Sequence, residues 1–327
     1  MAPFALACIL SFIPAFFYSA ILFYLDRFER EPKRLIVAAF AWGAIVATTG
    51  AVIGTFVLQW GVKAFTGDDA MAEVTGTVLF APIVEELTKG AAVFLVFWFF
   101  RHEFDSVLDG MVYGGVTALG FAATENVLYL YFKGYEEGGG LSGMLSLFVL
   151  RVILGGWMHA AYTAVFGAGL AIARLTRSAF VRVAAPLAGL GIAMGMHALH
   201  NSMATFLVEH AGAGGLLATL AVDWIGWALV FGMFLMALAQ ERRWLRTYLA
   251  EEVQSGFITA DEYAVAVSVR SQLSARLRIR GAKAFYQALA ELSQKKHQLA
   301  KLGDERGNAA RVESIRAAIV ALRSGPA

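Results

Sequence analysis

The stretch Thr75–Phe100, TGTVLFAPIVEELTKGAAVFLVFWFF, decides the fold of this chain. Its length and apolar character are typical of a helix that spans a bilayer, since about 20 such residues cross the hydrocarbon core. Glu85 and Glu86 lie in its middle, where a charged side chain costs roughly 2.5–3.5 kcal/mol on insertion scales. Because such a cost calls for a functional reason, the acidic pair predicts a site inside the membrane.

The composition of the whole chain is that of a membrane protein. Of its 327 residues, 58% are hydrophobic and 16% are charged, with a mean hydropathy of +0.62. A soluble domain has about 25% charged residues. The single cysteine, Cys8, excludes an intramolecular disulfide and a cysteine-ligated metal cluster. No basic–aromatic module indicates nucleic-acid binding. From the hydrophobic composition we predict an all-α polytopic membrane protein.

Apolar runs predict seven transmembrane helices, at about residues 4–25, 36–60, 75–100, 107–132, 143–173, 183–208 and 216–239. The connecting segments on one side hold eleven basic residues, whereas those on the other hold only Lys63 and Lys133. The positive-inside rule therefore predicts an N-terminus outside the cell and a C-terminus in the cytoplasm. The eleven residues are Arg27, Arg30, Lys33, Arg34, Arg101, Arg174, Arg177, Arg182, Arg242, Arg243 and Arg246.

The C-terminal part of the chain differs in composition from the rest. We predict a transmembrane domain at residues 1–240 and a small helical cytoplasmic domain at residues 241–327, which has 15 basic and 9 acidic residues. Its apolar positions recur at helical spacing. A helical bundle is the simplest interpretation. A partner-binding or lipid-headgroup surface is the alternative, because basic segments beside a span attract anionic lipid.

Ionisable residues also lie in the apolar stretches of three further spans, as Glu125, His159 and His197. At 1.5 Å per residue, Glu85, Glu125 and His197 lie roughly 12–16 Å below the outer ends of their spans. His159 lies roughly 24 Å down, and it reaches the same depth only if its span starts as a tilted or interfacial segment. We therefore expect the acids and histidines to converge in the outer half of the membrane.

Helical spacing adds polar neighbours to this set. Lys89 shares a helix face with Glu85 and can partly neutralise one carboxylate. Asn201 shares a face with His197 in the same way. Asp223 lies near a span end, where we expect it to be solvated or to cap a helix. Four further residues are expected to support the site from outside: Asn126, Tyr129, Arg151 and His200.

These motifs, in this order, resemble those of the PrsW family of intramembrane proteases. Glu85-Glu86-Leu-Thr-Lys89 is similar to the EExxK motif of that family, and Phe121-Ala-Ala-Thr-Glu125-Asn126 is similar to its second motif. His159 and the His197-xxx-Asn201 pair match the later motifs, and the stretch Tyr24–Pro32 is also similar. The resemblance covers about residues 20–205, so the basic C-terminal tail lies outside it.

The resemblance implies a protease in the cytoplasmic membrane of a bacterium. It implies membrane-anchored protein substrates, such as an anti-sigma factor, which are cut near the external face. The family is grouped with the metalloproteases, and it is distantly similar to the CAAX prenyl proteases, for which a metal-free glutamate–histidine mechanism has been argued. The sequence contains no HExxH zinc motif.

Two hydrolytic mechanisms and one other function stay open. In the version we favour, zinc is held by His159, His197 and Glu125, with an open position for water, and Glu85 or Glu86 is the general base. In the metal-free version Glu85 and a histidine share the water, and His197 with Asn201 donates to the oxyanion. The competing function is a transporter or channel whose carboxylates bind protons or cations near the midplane. The sequence identifies neither the substrate nor the oligomeric state.

Overall fold

A computed structural model of the chain describes residues 1–26, 31–279, 281–304 and 307–323. Among these residues the structure is helical throughout, with turns but no strand. This confirms the predicted all-α class. Arg27 and Arg30, and with them the middle of the Tyr24–Pro32 stretch, lie outside the described residues.

Among the described residues, seven long helices form the apolar part of the molecule and four shorter helices form the tail. The long helices are α1 (Ala2–Leu25), α2 (Lys33–Thr66), α3 (residues 69–99), α4 (Val107–Glu136), α5 (Leu141–Arg174), α6 (Ala179–Ala211) and α7 (Ala213–Gln254). The tail helices are α8 (Ala260–Ala266), α9 (Val269–Arg278), α10 (Ala282–Leu302) and α11 (Asn308–Arg323).

Six of the seven long helices are apolar enough over 18 or more residues to cross a membrane. The exception is α3, whose apolar stretch is interrupted by Glu85, Glu86 and Lys89. Helix α3 nevertheless packs against α2, α4, α5 and α6, so its ionisable side chains lie inside the bundle. The chain is an integral membrane protein of the predicted class, with α3 as the seventh helix of the bundle.

Helix α4 lies at the centre of the bundle, and glycines bring it close to α5. A Cβ atom at Gly110 would lie 2.1 Å from the carbonyl oxygen of Gly167, and one at Gly114 would lie 2.5 Å from that of Thr163. Such contacts are shorter than any side chain allows, so the two backbones can touch only at glycine. The close crossing sets the distance between Glu125 on α4 and His159 on α5.

Local irregularities place the functional residues along α3 and α5. A π-helical turn at Gly76–Phe80 precedes Pro82, and Glu85 follows within one further turn. In α5 a π-helical segment, Phe148–Leu154, is followed by a short break, after which the helix restarts at Met158. Extra residues in these turns change which side chains face the bundle, a common feature of functional sites. The break also explains how His159, far along its span, comes level with Glu125.

The tail helices form a second apolar core together with the C-terminal end of α7 and dock against the bundle. Leu249, Leu289 and Ile319 are fully buried in that core. Lys295 on α10 forms a buried ion pair with Asp105, and the Gln298 amide donates to the same carboxylate at 2.5 Å. Helix α7 runs without interruption through residue 240. A domain division near that residue is therefore a proposal that rests on the two separate cores.

Candidate active site

Glu86 is the most completely satisfied carboxylate of the site. Its Oε1 atom lies 2.6 Å from Nζ of Lys89, three residues further along α3. Its Oε2 atom accepts a hydrogen bond of 2.8 Å from the Thr163 hydroxyl on α5. Both Glu86 and Lys89 are buried, with 1% and 0% of their surfaces exposed. A buried ion pair of this kind keeps its charges because the partner and the hydrogen bonds replace lost hydration.

The neighbouring Glu85 has a different environment. Its Oε2 atom is buried and has no hydrogen-bond partner among the described residues. The nearest charged or ionisable atoms are Nζ of Lys89 and Nε2 of His197, each 3.7 Å away. A buried carboxylate oxygen without a partner is costly, so this atom is placed to bind a water molecule or a cation.

His197 is held in one orientation by Glu86. Its Nδ1 atom lies 3.0 Å from Oε1 of Glu86, and since a carboxylate only accepts, Nδ1 carries the proton and donates it. The lone pair is then on Nε2, which faces Glu85. Tyr162 stacks on the imidazole with 5.2 Å between the ring centroids and further limits its rotation. A carboxylate that fixes a histidine in this way is the usual support of a metal-ligating imidazole.

His159 joins the two halves of the site. Its Nε2 atom lies 3.1 Å from Oε2 of Glu125, and its Nδ1 atom lies 3.4 Å from Nζ of Lys89. The His159 and His197 rings are nearly perpendicular, with centroids 5.1 Å apart. Both nitrogens of His159 thus contact protein groups, and one contact must open before His159 binds a metal.

Arg151 fixes Glu125 from the other side. One guanidinium nitrogen donates to Oε2 of Glu125 at 2.7 Å, and Nε donates to the Asn126 side chain at 3.0 Å. The guanidinium also lies over the Tyr129 ring, 3.7 Å from its centroid. Asn126, Tyr129 and Arg151 therefore form a single group that holds Glu125.

The structure suggests a different metal-binding set from the one predicted. Glu85, His159 and His197 each offer a ligand atom, and the three atoms lie within 4.8 Å of one another. One carboxylate and two imidazoles are a known catalytic zinc set, and the unpartnered Glu85 oxygen fits a cation better than Glu125, which Arg151 already neutralises. Glu125 stays a predicted ligand, whereas Glu85 is the carboxylate that lies with the two histidines in this group.

Two predicted residues lie outside this cluster. The Asn201 amide donates to the backbone carbonyl of Thr77 at 2.9 Å, which ties α6 to the π-helical turn of α3. His200 Nδ1 lies 2.7 Å from Oδ2 of Asp223 on α7. Asp223 is buried, so the expectation that it is solvated is wrong; its burial is tolerated because His200 pairs with it.

Sequence reasoning missed Thr163 and the pairing of Asp223. Thr163 follows His159 by four residues on the same helix face, and that spacing could have identified it. Asp223 is an acid within an otherwise apolar stretch, the same signal that singled out Glu85.

Comparison with known proteins gives the chain its family. The model of the PrsW family intramembrane metalloprotease matches residues 31–239, nearly two thirds of the chain and all the site residues above. The chain belongs to the PrsW family. No solved structure matches it.

Relatives in this family share about a third of the aligned residues. Protease PrsW of Geobacillus kaustophilus is 30% identical over 147 residues, which are 44% of this chain and 57% of the relative. Protease PrsW of Oceanobacillus iheyensis is 32% identical over 114 residues, 35% of this chain and 49% of the relative. Protease PrsW of Bacillus subtilis is 31% identical over 116 residues, which are 35% of this chain and 50% of the relative. The chain spans about half the length of the curated relatives it matches.

Proposed function

We propose that this chain is an intramembrane endopeptidase that hydrolyses peptide bonds of membrane-anchored proteins. The observation that carries the proposal is the buried, unpartnered carboxylate of Glu85, which faces a histidine held in one tautomer by Glu86. A water molecule between Glu85 and His197 would contact both a base and a hydrogen-bonding partner. Membership in the PrsW family and similarity to relatives called Protease PrsW support the same reaction.

In the metal-free version of this proposal, Glu85 is the general base and then the general acid. Its carboxylate takes a proton from the water while the oxygen attacks the scissile carbonyl carbon. The tetrahedral intermediate collapses, the C–N bond breaks, and Glu85 returns the proton to the leaving amine. Three neighbouring residues do not touch the substrate: Glu86, Lys89 and Thr163. Glu86 holds His197, and Lys89 and Thr163 hold Glu86 through an ion pair and a hydrogen bond.

The metal in this proposal is zinc, and Glu85, His159 and His197 would hold it. Zinc bound by these residues supplies Lewis acidity and a water of lowered pKa. Glu125 is then the residue that orients His159. When Glu85 is a ligand, Glu86 is the nearest second carboxylate, but its three contacts must loosen before it can accept a proton.

The metal-free version uses Glu85 and His197 alone to activate water. Asn201 could serve as an oxyanion donor only after its amide leaves the Thr77 carbonyl. The zinc version leaves Asn201 in place but needs one contact of His159 to open; what supports it is the unpartnered Glu85 oxygen beside two imidazoles.

We further propose the direction of the chain and the class of substrate. The basic segments at the end of the bundle that carries the tail support a cytoplasmic position for that end in a bacterium, with the N-terminus outside. The site then opens toward the external half of the membrane. Its substrates are proteins with a transmembrane segment, an anti-sigma factor among them.

Cleavage by the purified chain in proteoliposomes tests this function. A single-span substrate carrying a tag at each end is reconstituted with the wild type, with Glu85→Gln, and with the exposed control Glu137→Gln. We expect two fragments from the wild type and the control, and none from Glu85→Gln. Uncleaved substrate with all three proteins, together with cation or proton flux that Glu85→Gln abolishes, would replace the protease by a transporter.

A further inference from the structure

The tail helix α9 has one face fixed against the tail and one apolar face exposed. On the fixed face, Ala275 packs in the tail core and the Gln272 amide donates to a carbonyl at the end of α8 at 2.5 Å. On the other face, Leu273 and Leu277 lie one helical turn apart and are 60% and 80% exposed. Ile279, directly after the helix, is also 60% exposed. A group of large apolar side chains that stays exposed on a fixed helix indicates contact with a partner or a membrane.

The segment around these side chains is basic. Between Glu262 and Glu291 the sequence has five basic residues and no aspartate or glutamate. Three of the five are exposed and make no ion pair with the described residues: Arg270, Arg278 and Lys283. Exposed leucines beside long basic side chains are typical of a helix in a membrane interface, where the leucines enter the acyl region and the cations reach the phosphates.

The path of the chain brings α9 back toward the bilayer. Helix α7 extends to Gln254, about 22 Å beyond the end of the predicted span at residue 239. The next helix, α8, returns from there, because the Tyr263 hydroxyl donates to the carbonyl of Arg246 at 3.4 Å. Arg246 lies only about 10 Å beyond the predicted span. Helix α9 begins directly after α8, on the side of the tail that faces the bundle.

We propose that α9 lies in the interface of the leaflet beside the tail and binds its anionic phospholipids. Leu273 and Leu277 enter among the acyl chains, and Arg270, Arg278 and Lys283 contact the phosphates. Each basic residue near an anionic surface strengthens such binding about fivefold. A second copy of the chain is a poorer occupant, because a symmetric contact would bring the same positive charges together.

The bound leaflet would hold the tail at a second point. The first is the buried pair of Lys295 with Asp105, which joins α10 to the segment before α4. With α9 in the interface, the tail is attached both to the bundle and to the lipid around it. This inference does not depend on the proposed proteolysis.

Quenching of a fluorescent label by lipid tests the position of α9 in the full chain. In a Cys8→Ser background, Ser274→Cys on α9 is labelled with an environment-sensitive fluorophore, and Ser255→Cys, just past the far end of α7, is the control position. The proteoliposomes contain phosphatidylcholine with or without phosphatidylglycerol of the same acyl chains. Both kinds carry the same trace of lipid with a nitroxide near the top of its acyl chain. We expect strong quenching at position 274 with phosphatidylglycerol, weak quenching without it, and little at position 255 in either.

Charge variants with a matched control test the basic side chains. Arg270→Gln/Arg278→Gln should lower the ratio of docked to undocked α9 about 25-fold, at about fivefold for each arginine removed. Arg242→Gln/Arg243→Gln removes the same charge from exposed positions on α7 and should keep the wild-type quenching. Added salt should weaken the quenching of the wild type, since it screens exposed charges.

A second pair of variants tests the apolar face without altering charge. Leu277→Asn should reduce the quenching, whereas Leu322→Asn, at a 41% exposed position on α11, should not. None of the substituted side chains is buried, so all variants should unfold in detergent like the wild type.

Three results would overturn the proposal. The first is equal quenching at position 274 with and without phosphatidylglycerol. The second is an equal loss of quenching in each variant and its control. The third is energy transfer between labels on two copies without quenching by lipid, which would assign the exposed face of α9 to a second copy of the chain.

Discussion

Replacing Lys89 by methionine should both destabilise the protein and abolish cleavage. The ammonium group has no exposed surface and lies 2.6 Å from Glu86, 3.7 Å from Glu85 and 3.4 Å from His159. Lys89→Met leaves Glu86 as a buried charge without its cation. Removing one partner of such a pair costs about 3–5 kcal/mol, which corresponds to an apparent melting temperature lower by on the order of 10 °C.

The double variant Glu86→Gln/Lys89→Met separates stability from activity. Because it removes both charges together, it should recover at least half of the lost stability. It should stay inactive, because a neutral glutamine amide no longer holds His197 in the tautomer that turns its Nε2 lone pair toward Glu85.

The assays are thermal unfolding in detergent micelles and cleavage in proteoliposomes, with Lys63→Met as the matched control. Lys63 pairs with Asp69 at the same 2.6 Å, but the two side chains are 55% and 76% exposed. An exposed pair contributes about 0–1 kcal/mol, so the control should unfold like the wild type. Equal destabilisation by Lys63→Met and Lys89→Met, or a double variant no more stable than Lys89→Met, would refute the reasoning.

Three further predictions use other parts of the structure. Both Glu85→Gln and Glu86→Gln should abolish cleavage, but when the proteins are compared without metal, Glu85→Gln should unfold at nearly the wild-type temperature and Glu86→Gln at a lower one; similar stability losses in the two variants would contradict their different roles. In a cysteine-free background, an impermeant thiol reagent should label Glu137→Cys but not Ser255→Cys in intact cells, and the reverse pattern would invert the topology. Burial, with a smaller contribution from Lys301, lowers the pKa of His297 to about 4. Below about pH 6.5 the unfolded chain then binds more protons than the folded chain. The free energy of unfolding of the tail should therefore fall as the pH drops from about 6.5 to 4. His297→Gln should make this fall smaller, and an unchanged fall would exclude His297 as its source.

The sequence was sufficient to predict the four acidic and histidine residues at the centre of the site, because burying an ionisable group in lipid has so few explanations. Glu85, Glu125, His159 and His197 could be singled out in this way, and depth along each helix brought three of them level. The role of each group could not be predicted. The role of a group depends on which carboxylate oxygen faces which histidine nitrogen. Glu85 and Glu86 are adjacent on one helix and point about 100° apart, so this rotation gives them different neighbours.

Irregular backbone limited the sequence prediction in a similar way. The break before Met158, which brings His159 into the site, contains Gly155 and Gly156, which weaken a helix but do not indicate how the chain continues. The glycine contacts of α4 with α5 lie after the break, at Thr163 and Gly167, and such tertiary packing is not visible in the local sequence. The docking of Lys295 against Asp105 joins positions 190 residues apart in the chain, and neither local pattern nor charge indicates it.

Metal content measured together with activity tests the centre formed by Glu85, His159 and His197 most directly. The purified wild type should contain about one zinc ion per chain and lose cleavage and thermal stability when a strong chelator removes it. Glu85→Gln, His159→Ala and His197→Ala should each lack stoichiometric zinc, whereas Glu125→Gln should retain more of it because Glu125 only orients His159. A fully active enzyme with far less than one metal per chain, insensitive to chelators, would contradict this account.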